Sequence, residues 1–261
     1  TYMFPLSFVE KTFSELPENA IISPATLEDK EGYLVEAVYD TAFREAIFHN
    51  VVANSGILQI DNDLLKFERG RGLEDETAVE SVIPEIDSSN TAFVFGGKYF
   101  FKLYRKLFSE TNPEVEMVQF ITQNSDFKNI PRFCGSVTLE RKLESDITFG
   151  LLVEVISNEK DNWSKTGDYL NEFMFAFVDG NFQIKENVFE KVALLGVRTA
   201  QMHDALFSIH GDEGFRADNF DRPYRRFIHQ KVEDLLEHRY NLLTDNYLSL
   251  DEASQILAWK F

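Results

Sequence analysis

The chain has 261 residues, with 44 acidic against 26 Lys and Arg side chains, and a net charge of −18 at pH 7. Such a charge repels nucleic acid and anionic membranes, so neither is expected as a partner, and a site for a phosphorylated ligand needs local cations and a metal. One cysteine, Cys134, excludes an internal disulfide framework, no apolar run approaches the ~20 residues that span a bilayer, and no secretory leader is visible, so the sequence reads as a soluble cytoplasmic protein.

Residues 1–10 read as a strand, with Pro5 marking an edge or bulge. Residues 11–31 carry Pro17 and Pro24 and read as loop. Tyr33 to Val38 is a short strand. Asp40 then caps a helix with Phe43, Ile47 and Val51 on one face, ending near Gly56. Leu64 to Glu68 reads as another strand. Residues 69–87 are acidic, carry Gly70 and Gly72, and form the expected boundary.

The stretch from Asp87 to Gln123 is the most informative. Phe93–Phe95 and Lys98–Tyr104 are aromatic-rich runs separated by Gly96-Gly97, which predicts a β-hairpin. The 25 phenylalanines of the chain point to aromatic packing of the sheet. Asn112 before Pro113 predicts the start of a helix, because Pro lacks only an N–H that would be orphaned there. Met117, Phe120 and Ile121 supply its expected buried face. Ser88-Ser89-Asn90-Thr91 opens the hairpin, Lys102 lies on a strand, and Glu116 lies on the helix that the strand feeds. That is the layout of a kinase small lobe: a turn over phosphates, a strand lysine and a helix glutamate to hold it.

Past Pro131, residues Arg132–Leu139 and Asp146–Ile156 read as two strands, and Ser157–Trp163 as a polar connector. Residues 164–179 predict a helix with Leu170, Phe173, Met174 and Phe177 inward, closed by Gly180. Asn187 with Glu190 has the pattern of a capping box, and Val188, Val192, Leu195, Thr199, Met202 and Leu206 recur at steps of four and three. Asp221 caps a further helix with Tyr224, Phe227, Ile228, Val232, Leu235 and Leu236 inward. Ser249 and Glu252 start a last one carrying Ile256, Leu257 and Phe261. The apolar face so close to the last residue suggests a truncated chain.

Four strings occur in order: Asp87-Ser88-Ser89-Asn90-Thr91-Ala92, Lys102-Leu103-Tyr104-Arg105-Lys106-Leu107, Asn112-Pro113-Glu114-Val115-Glu116, and Leu194-Leu195-Gly196-Val197-Arg198-Thr199-Ala200-Gln201-Met202-His203. Together they resemble the bacterial maltokinases, including those fused to trehalose synthase. Asn158-Glu159-Lys160-Asp161-Asn162-Trp163 resembles the segment after the hinge in that family. Pro5-Leu6 and the helix from Asp40 resemble the end of its N-terminal cap. The resemblance implies an α+β, protein-kinase-like fold: a cap remnant over 1–86, a small lobe of antiparallel sheet plus helix over 87–157, and the first helices of a large lobe over 158–261.

The family transfers the γ-phosphate of ATP to maltose. The resemblance implies that Ser88, Ser89, Asn90 and Thr91 cover the phosphates, that Lys102 touches the α- and β-phosphates, and that Glu116 orients Lys102. Glu154 and Val155 fall at the hinge, where backbone groups meet adenine. ATP and Mg²⁺ are the implied cofactors, maltose the substrate, and trehalose synthase a possible partner. The metal ligands are expected outside this chain.

Two departures from the family stand out. The turn has Asp87-Ser88 where the family has Glu-Gln, and Ala92 where it has Ser. The catalytic string His-Gly-Asp-x-His and the later Asp-Phe-Glu are absent. His210-Gly211-Asp212 imitates the first, but Gly214 and Ala217 stand where a His and a Gln are needed, so it reads as a helix end with Gly211 as cap. The chain as given is therefore expected to hold no catalytic residue and to be inactive alone. Two other readings stand beside this one: a non-catalytic kinase-like binding or assembly module associated with trehalose synthase, and a plain structural domain. Arg105 and Lys106 read as solvated, His203 as a packing or surface residue, and Cys134 as buried rather than reactive. Asp161 and Trp163 are candidates for a cleft wall, with Trp163 equally a core anchor.

Overall fold

The computed structural model describes residues 1–11, 16–58, 63–75, 80–84, 90–158, 160–178, 180, 184, 187–207, 213–216 and 219–259. It is a mixed α/β chain with two antiparallel sheets, and it divides into two compact units, Thr1–Leu206 and Phe207–Phe261.

The first unit begins with a three-stranded sheet of β1 (Leu6–Glu10), β2 (Ile21–Leu27) and β3 (Lys30–Glu36), in the order β1-β3-β2. Here the loop expected over 11–31 is corrected: it contains β2. Pro24 is tolerated because β2 is an edge strand, where a missing N–H costs no ladder bond. Glu28 and Asp29 both take positive φ, 50° and 65°, so a tight two-residue turn joins β2 to β3 without a glycine.

Helix α1 (Thr41–Val52) starts where Asp40 Oδ1 accepts the Ala42 N–H at 3.0 Å. It buries Ile47, Phe48 and Val51 against the larger sheet. Arg44 is also buried, and each of its three guanidinium nitrogens donates a hydrogen bond. Nε donates to Ser81 Oγ at 2.9 Å, one terminal nitrogen to the Val38 carbonyl at 2.8 Å, and the other to Thr41 Oγ1 at 3.0 Å. Burial lowers its pKa from the usual arginine value, while Asp40 and Glu45 oppose that shift.

Seven strands form the main sheet: β4 (Gly56–Leu58), β5 (Leu64–Arg69), β6 (Ser81–Val82), β7 (Thr91–Phe95), β8 (Tyr99–Leu103), β9 (Phe133–Glu140) and β10 (Ile147–Glu154). Their order is β4-β5-β9-β10-β8-β7-β6, and all neighbouring pairs are antiparallel. The expected hairpin is β7–β8, with Gly96 and Gly97 at φ 56° and 67°. Phe93, Phe95 and Phe101 are fully buried, as are Phe48 and Phe133. The Phe93 and Phe101 rings stack across the hairpin with centroids 6.0 Å apart.

The 69–87 stretch lies within this unit. Strands on both sides of it share the sheet, since β5 pairs with β9. Its two glycines run along β9: the Gly70 N–H donates to the Cys134 carbonyl at 2.9 Å and the Gly72 N–H to the Phe133 carbonyl at 3.0 Å. A Cβ on Gly70 would stand 2.5 Å from the Phe133 carbonyl oxygen, so only glycine permits that approach.

Helix α2 (Pro113–Asn124) is capped by Asn112, whose Oδ1 accepts the N–H groups of Glu114 at 3.0 Å and Val115 at 3.4 Å. It buries Val115, Phe120 and Ile121; Met117, expected inward, is 40% exposed.

Helices α3 (Asn162–Val178) and α4 (Asn187–Leu206) form where the periodicity predicts them. Their expected inward residues are only partly covered: Phe173, Val188, Met202 and Leu206 are half-buried, whereas Leu170, Met174, Phe177, Val192 and Leu195 are exposed. Asp161 caps α3, accepting the Ser164 N–H at 2.7 Å and its hydroxyl at 2.8 Å. Trp163 is 89% exposed and is no core anchor.

The second unit holds α5 (Arg222–Asn246) and α6 (Glu252–Ala258). Asp221 caps α5 through the Tyr224 N–H at 2.9 Å. Asp251, not Ser249, caps α6 through the Ser254 N–H at 3.0 Å. Among the described residues no helix is long and apolar enough to cross a membrane.

Candidate functional site

Alternation along β7 and β8 sends Phe93, Phe95, Tyr99, Phe101 and Leu103 into the core on one face of the sheet. The other face carries Ala92, Val94, Phe100 and Lys102, all half-buried. Register aligns Val94, Phe100 and Val153 in one row across three strands, and Ala92, Lys102 and Leu151 in the next. Lys102 thus stands beside a half-buried apolar row on a central strand.

The Lys102 ammonium is held by Glu114, at 2.7 Å to Oε2 and 3.0 Å to Oε1. Tyr104 donates its hydroxyl to the same Oε2 at 3.0 Å, and its ring centroid lies 5.5 Å from the Lys102 Nζ. Burial, and secondarily the neighbouring Glu114 carboxylate, push the Tyr104 phenol well above its ordinary pKa, so it stays a donor. Glu114 lies in the first turn of α2, where the helix dipole favours a carboxylate. The arrangement holds a partly desolvated cation at a fixed point on the sheet.

Glu116, the expected partner of Lys102, is corrected here: it is exposed. At 3.6 residues per turn two positions apart point about 200° away from one another, so only one of Glu114 and Glu116 can face the strand. Glu114 lies on the stripe of Val118 and Ile121 at steps of four and three, while Glu116 stands four residues before the buried Phe120, so the spacing alone leaves the two glutamates level.

Of the turn residues, Ser88 and Ser89 lie outside the described residues. Asn90 and Thr91 both meet Arg105. The Arg105 backbone N–H donates to Asn90 Oδ1 at 3.4 Å, and its Nε to Thr91 Oγ1 at 2.8 Å. A terminal guanidinium nitrogen pairs with Glu36 of β3. Arg105, expected to be solvated, keeps only 19% of its side chain exposed, and Glu36 keeps 20%. The cause is the N-terminal segment, which lies along this stretch: the Met3 N–H donates to the Arg105 carbonyl and the Leu107 N–H to the Thr1 carbonyl, each at 2.9 Å.

At the end of β10, the Glu154 carboxylate is forked by Arg132, 2.9 Å from Nε and 3.1 Å from a terminal nitrogen. Arg132 holds the Glu154 carboxyl below the usual carboxylate value. The Glu154 N–H donates to the Arg132 carbonyl at 3.1 Å, and the Val155 N–H to the Lys98 carbonyl at 2.7 Å. Both amides are therefore taken, by the residues just before β9 and β8. A ligand at this edge must use carbonyls or N–H groups after Val155.

His210, Gly211 and Asp212 lie outside the described residues. His203 is exposed on α4. Among the described residues no group of three or more His, Cys, Asp or Glu is placed to hold a metal ion. Cys134 is buried, and desolvation pushes its thiol up to about 12. Ser125–Asn129 together with Arg198, Gln201, Asp204 and Ala205 of α4 line an open cleft of about 470 Å³, in which Lys128 and Arg198 are matched by Asp126 and Asp204.

No family model matches the chain. A solved structure of glucosamine kinase in complex with glucosamine, ADP and inorganic phosphate aligns at 16% identity and a TM-score of 0.44, covering 79% of this chain and 47% of that one. Glucosamine kinase in another crystal form aligns at 17% identity and a TM-score of 0.44, over 77% and 46% of the two chains. The chain spans about half the length of the solved chains it aligns with.

Proposed function

We propose that residues 87–157, within the Thr1–Leu206 unit, bind ATP as the small lobe of a kinase-like protein, and that the chain belongs to a sugar phosphotransferase of the maltokinase type. The Lys102–Glu114 pair is the single observation that carries this reading. A lysine on a central strand, held by a glutamate on the next helix, is the device by which kinases fix a cation on the nucleotide phosphates. The ordered strings around it add the sugar: maltose comes from the resemblance to maltokinases.

In this reading Lys102 neutralises α- and β-phosphate oxygens, Glu114 fixes its direction, and Tyr104 fixes Glu114. The row Val94, Phe100 and Val153 offers an apolar face to the base. Ser88, Ser89, Asn90 and Thr91 cover the phosphates, and the strand end at Glu154 and Val155 borders the base. Phosphoryl transfer needs positioning and charge neutralisation above all, and these residues supply the first half of that requirement. Mg²⁺ is implied by the resemblance, with its ligands outside this chain; among the described residues no group of three or more His, Cys, Asp or Glu is placed to hold it.

A titration of ATP into the protein tests the reading. Lys102→Ala and Glu114→Ala are expected to weaken binding by about tenfold or more, as loss of a charge-assisted contact does. Glu116→Ala should leave it unchanged. ATP binding that is indifferent to Lys102→Ala would remove the basis of the proposal.

A second reading is favoured by one sequence fact: the sole His-Gly-Asp is followed by Glu-Gly-Phe rather than by the residues of a catalytic loop. The 261 residues then form a nucleotide-binding or assembly module, with trehalose synthase as a candidate partner, that does not itself transfer phosphate. Maltose incubated with the chain and γ-labelled ATP should stay unlabelled above background. Measurable labelling excludes the second reading and also overturns the expectation, common to both readings, that the chain as given holds no catalytic residue.

A further inference from the structure

We propose that Arg105 is a positioning residue that ties the N-terminal three-stranded sheet to Asn90 and Thr91, so that this sheet sets nucleotide affinity without touching the nucleotide. The role rests on the nucleotide reading above and extends it to a second region of the molecule.

The guanidinium works in two directions at once. Nε reaches Thr91 Oγ1 at the first residue of β7, and a terminal nitrogen reaches Glu36 at the last residue of β3. The Arg105 backbone N–H holds Asn90 Oδ1, so Asn90 and Thr91 are both pinned by one residue. Glu36 is 69 positions away in sequence, and the ion pair is largely shielded from solvent on both sides. Lys102 stands only three residues before Arg105, on the strand that pairs with β7. A shift of β3 therefore moves the guanidinium, and with it the start of β7, relative to the Lys102 ammonium. Only an arginine does this. Its planar fork serves two acceptors in fixed directions, whereas a lysine ammonium is a point charge on a flexible stem.

The link also explains a charge that the sequence leaves looking idle. Lys106, the next residue, sits over the Phe108 ring, with its Nζ 5.1 Å from the centroid. Arg105 alone of the two is drawn inward to polar partners.

The test uses the whole chain, with ATP as the probe, in Arg105→Lys, Glu36→Gln and the double variant. Binding is read by calorimetry well below the melting temperature, and hydrogen exchange is read at residues 91–95 without nucleotide. Arg105→Lys is expected to weaken ATP by about tenfold and Glu36→Gln by somewhat less, with the double variant no weaker than Arg105→Lys alone because both act on one link. Protection of residues 91–95 should fall in both. Faster exchange with unchanged ATP affinity overturns the proposal, because the link is then only structural. Unchanged exchange overturns it as well. Wild-type protein that binds no ATP, or binds it equally after Lys102→Ala, defeats the nucleotide reading instead, while the exchange data still decide whether Arg105 holds β7. Glu36→Gln, which changes a partner of Arg105 that is not assigned to the phosphates, keeps the test open if Arg105→Lys fails to fold.

Discussion

The β7–β8 hairpin and the helices from α3 onward were both clear in the sequence, yet they behave differently in the structure. In the hairpin, alternation predicts both the element and its burial: Phe93, Phe95 and Phe101 vanish into the core. In α3, α4 and α5, spacing at three and four predicts the helices, but Leu195, Leu235 and Leu236 remain more than half exposed. A period reports which residues share a face. Whether that face is covered depends on a partner, and the hairpin has its partner within its own sheet and in Phe48 of α1.

The largest expected effect breaks this contrast directly. Phe101→Ala should cost about 3–5 kcal/mol in urea unfolding, since it empties a closed aromatic site. Leu195→Ala, on an exposed helix face, should stay within about 1 kcal/mol. Equal costs at the two sites would mean that the α4 face is covered in solution. Arg44 comes next. Removing it in Arg44→Ala strands Ser81 Oγ and the Val38 carbonyl inside the unit, and a loss of about 2–4 kcal/mol is expected by thermal or urea unfolding.

Asn112→Ala should cost about 1 kcal/mol through loss of the α2 cap, with ATP affinity falling as well because Glu114 sits in the first turn. Asp251→Ala on α6 should have a comparable cost in local helicity by circular dichroism, and no effect on ATP. The smallest effect concerns Glu154. Its folded pKa lies below the ordinary 4.5, so its pairing with Arg132 stabilises above that value and is lost as pH falls through the folded value. Glu154→Gln should lower stability near neutrality by a few tenths of a kcal/mol, given how exposed the pair is, and match wild type at acid pH.

Local signals in the sequence carried the hairpin turn, the caps at Asp40, Asn112 and Asp221, and the placement of Lys102. What it did not carry depended on pairings remote in the chain. Arg105 looked solvated because Glu36 is distant in sequence, and β2 looked like loop because nothing local says that Pro24 lies on an edge. The Glu154 and Val155 amides are taken by the Arg132 and Lys98 carbonyls, both remote in sequence. Glu114 is a different case. Val118 and Ile121 align with Glu114 and the buried Phe120 aligns with Glu116, so only the position of the strand beside α2 decides which glutamate meets Lys102.

The single cysteine of the chain lies on β9, between the pairings to β5 and β10, with Gly72 close against its sulfur. A thiol so placed meets an alkylating reagent only when those strands part. Its modification rate, followed over denaturant by mass spectrometry, therefore times the opening of the sheet in the intact protein without any introduced label. Repeating the measurement with ATP present would tell whether a ligand at Lys102 slows strand separation on the far side of β10.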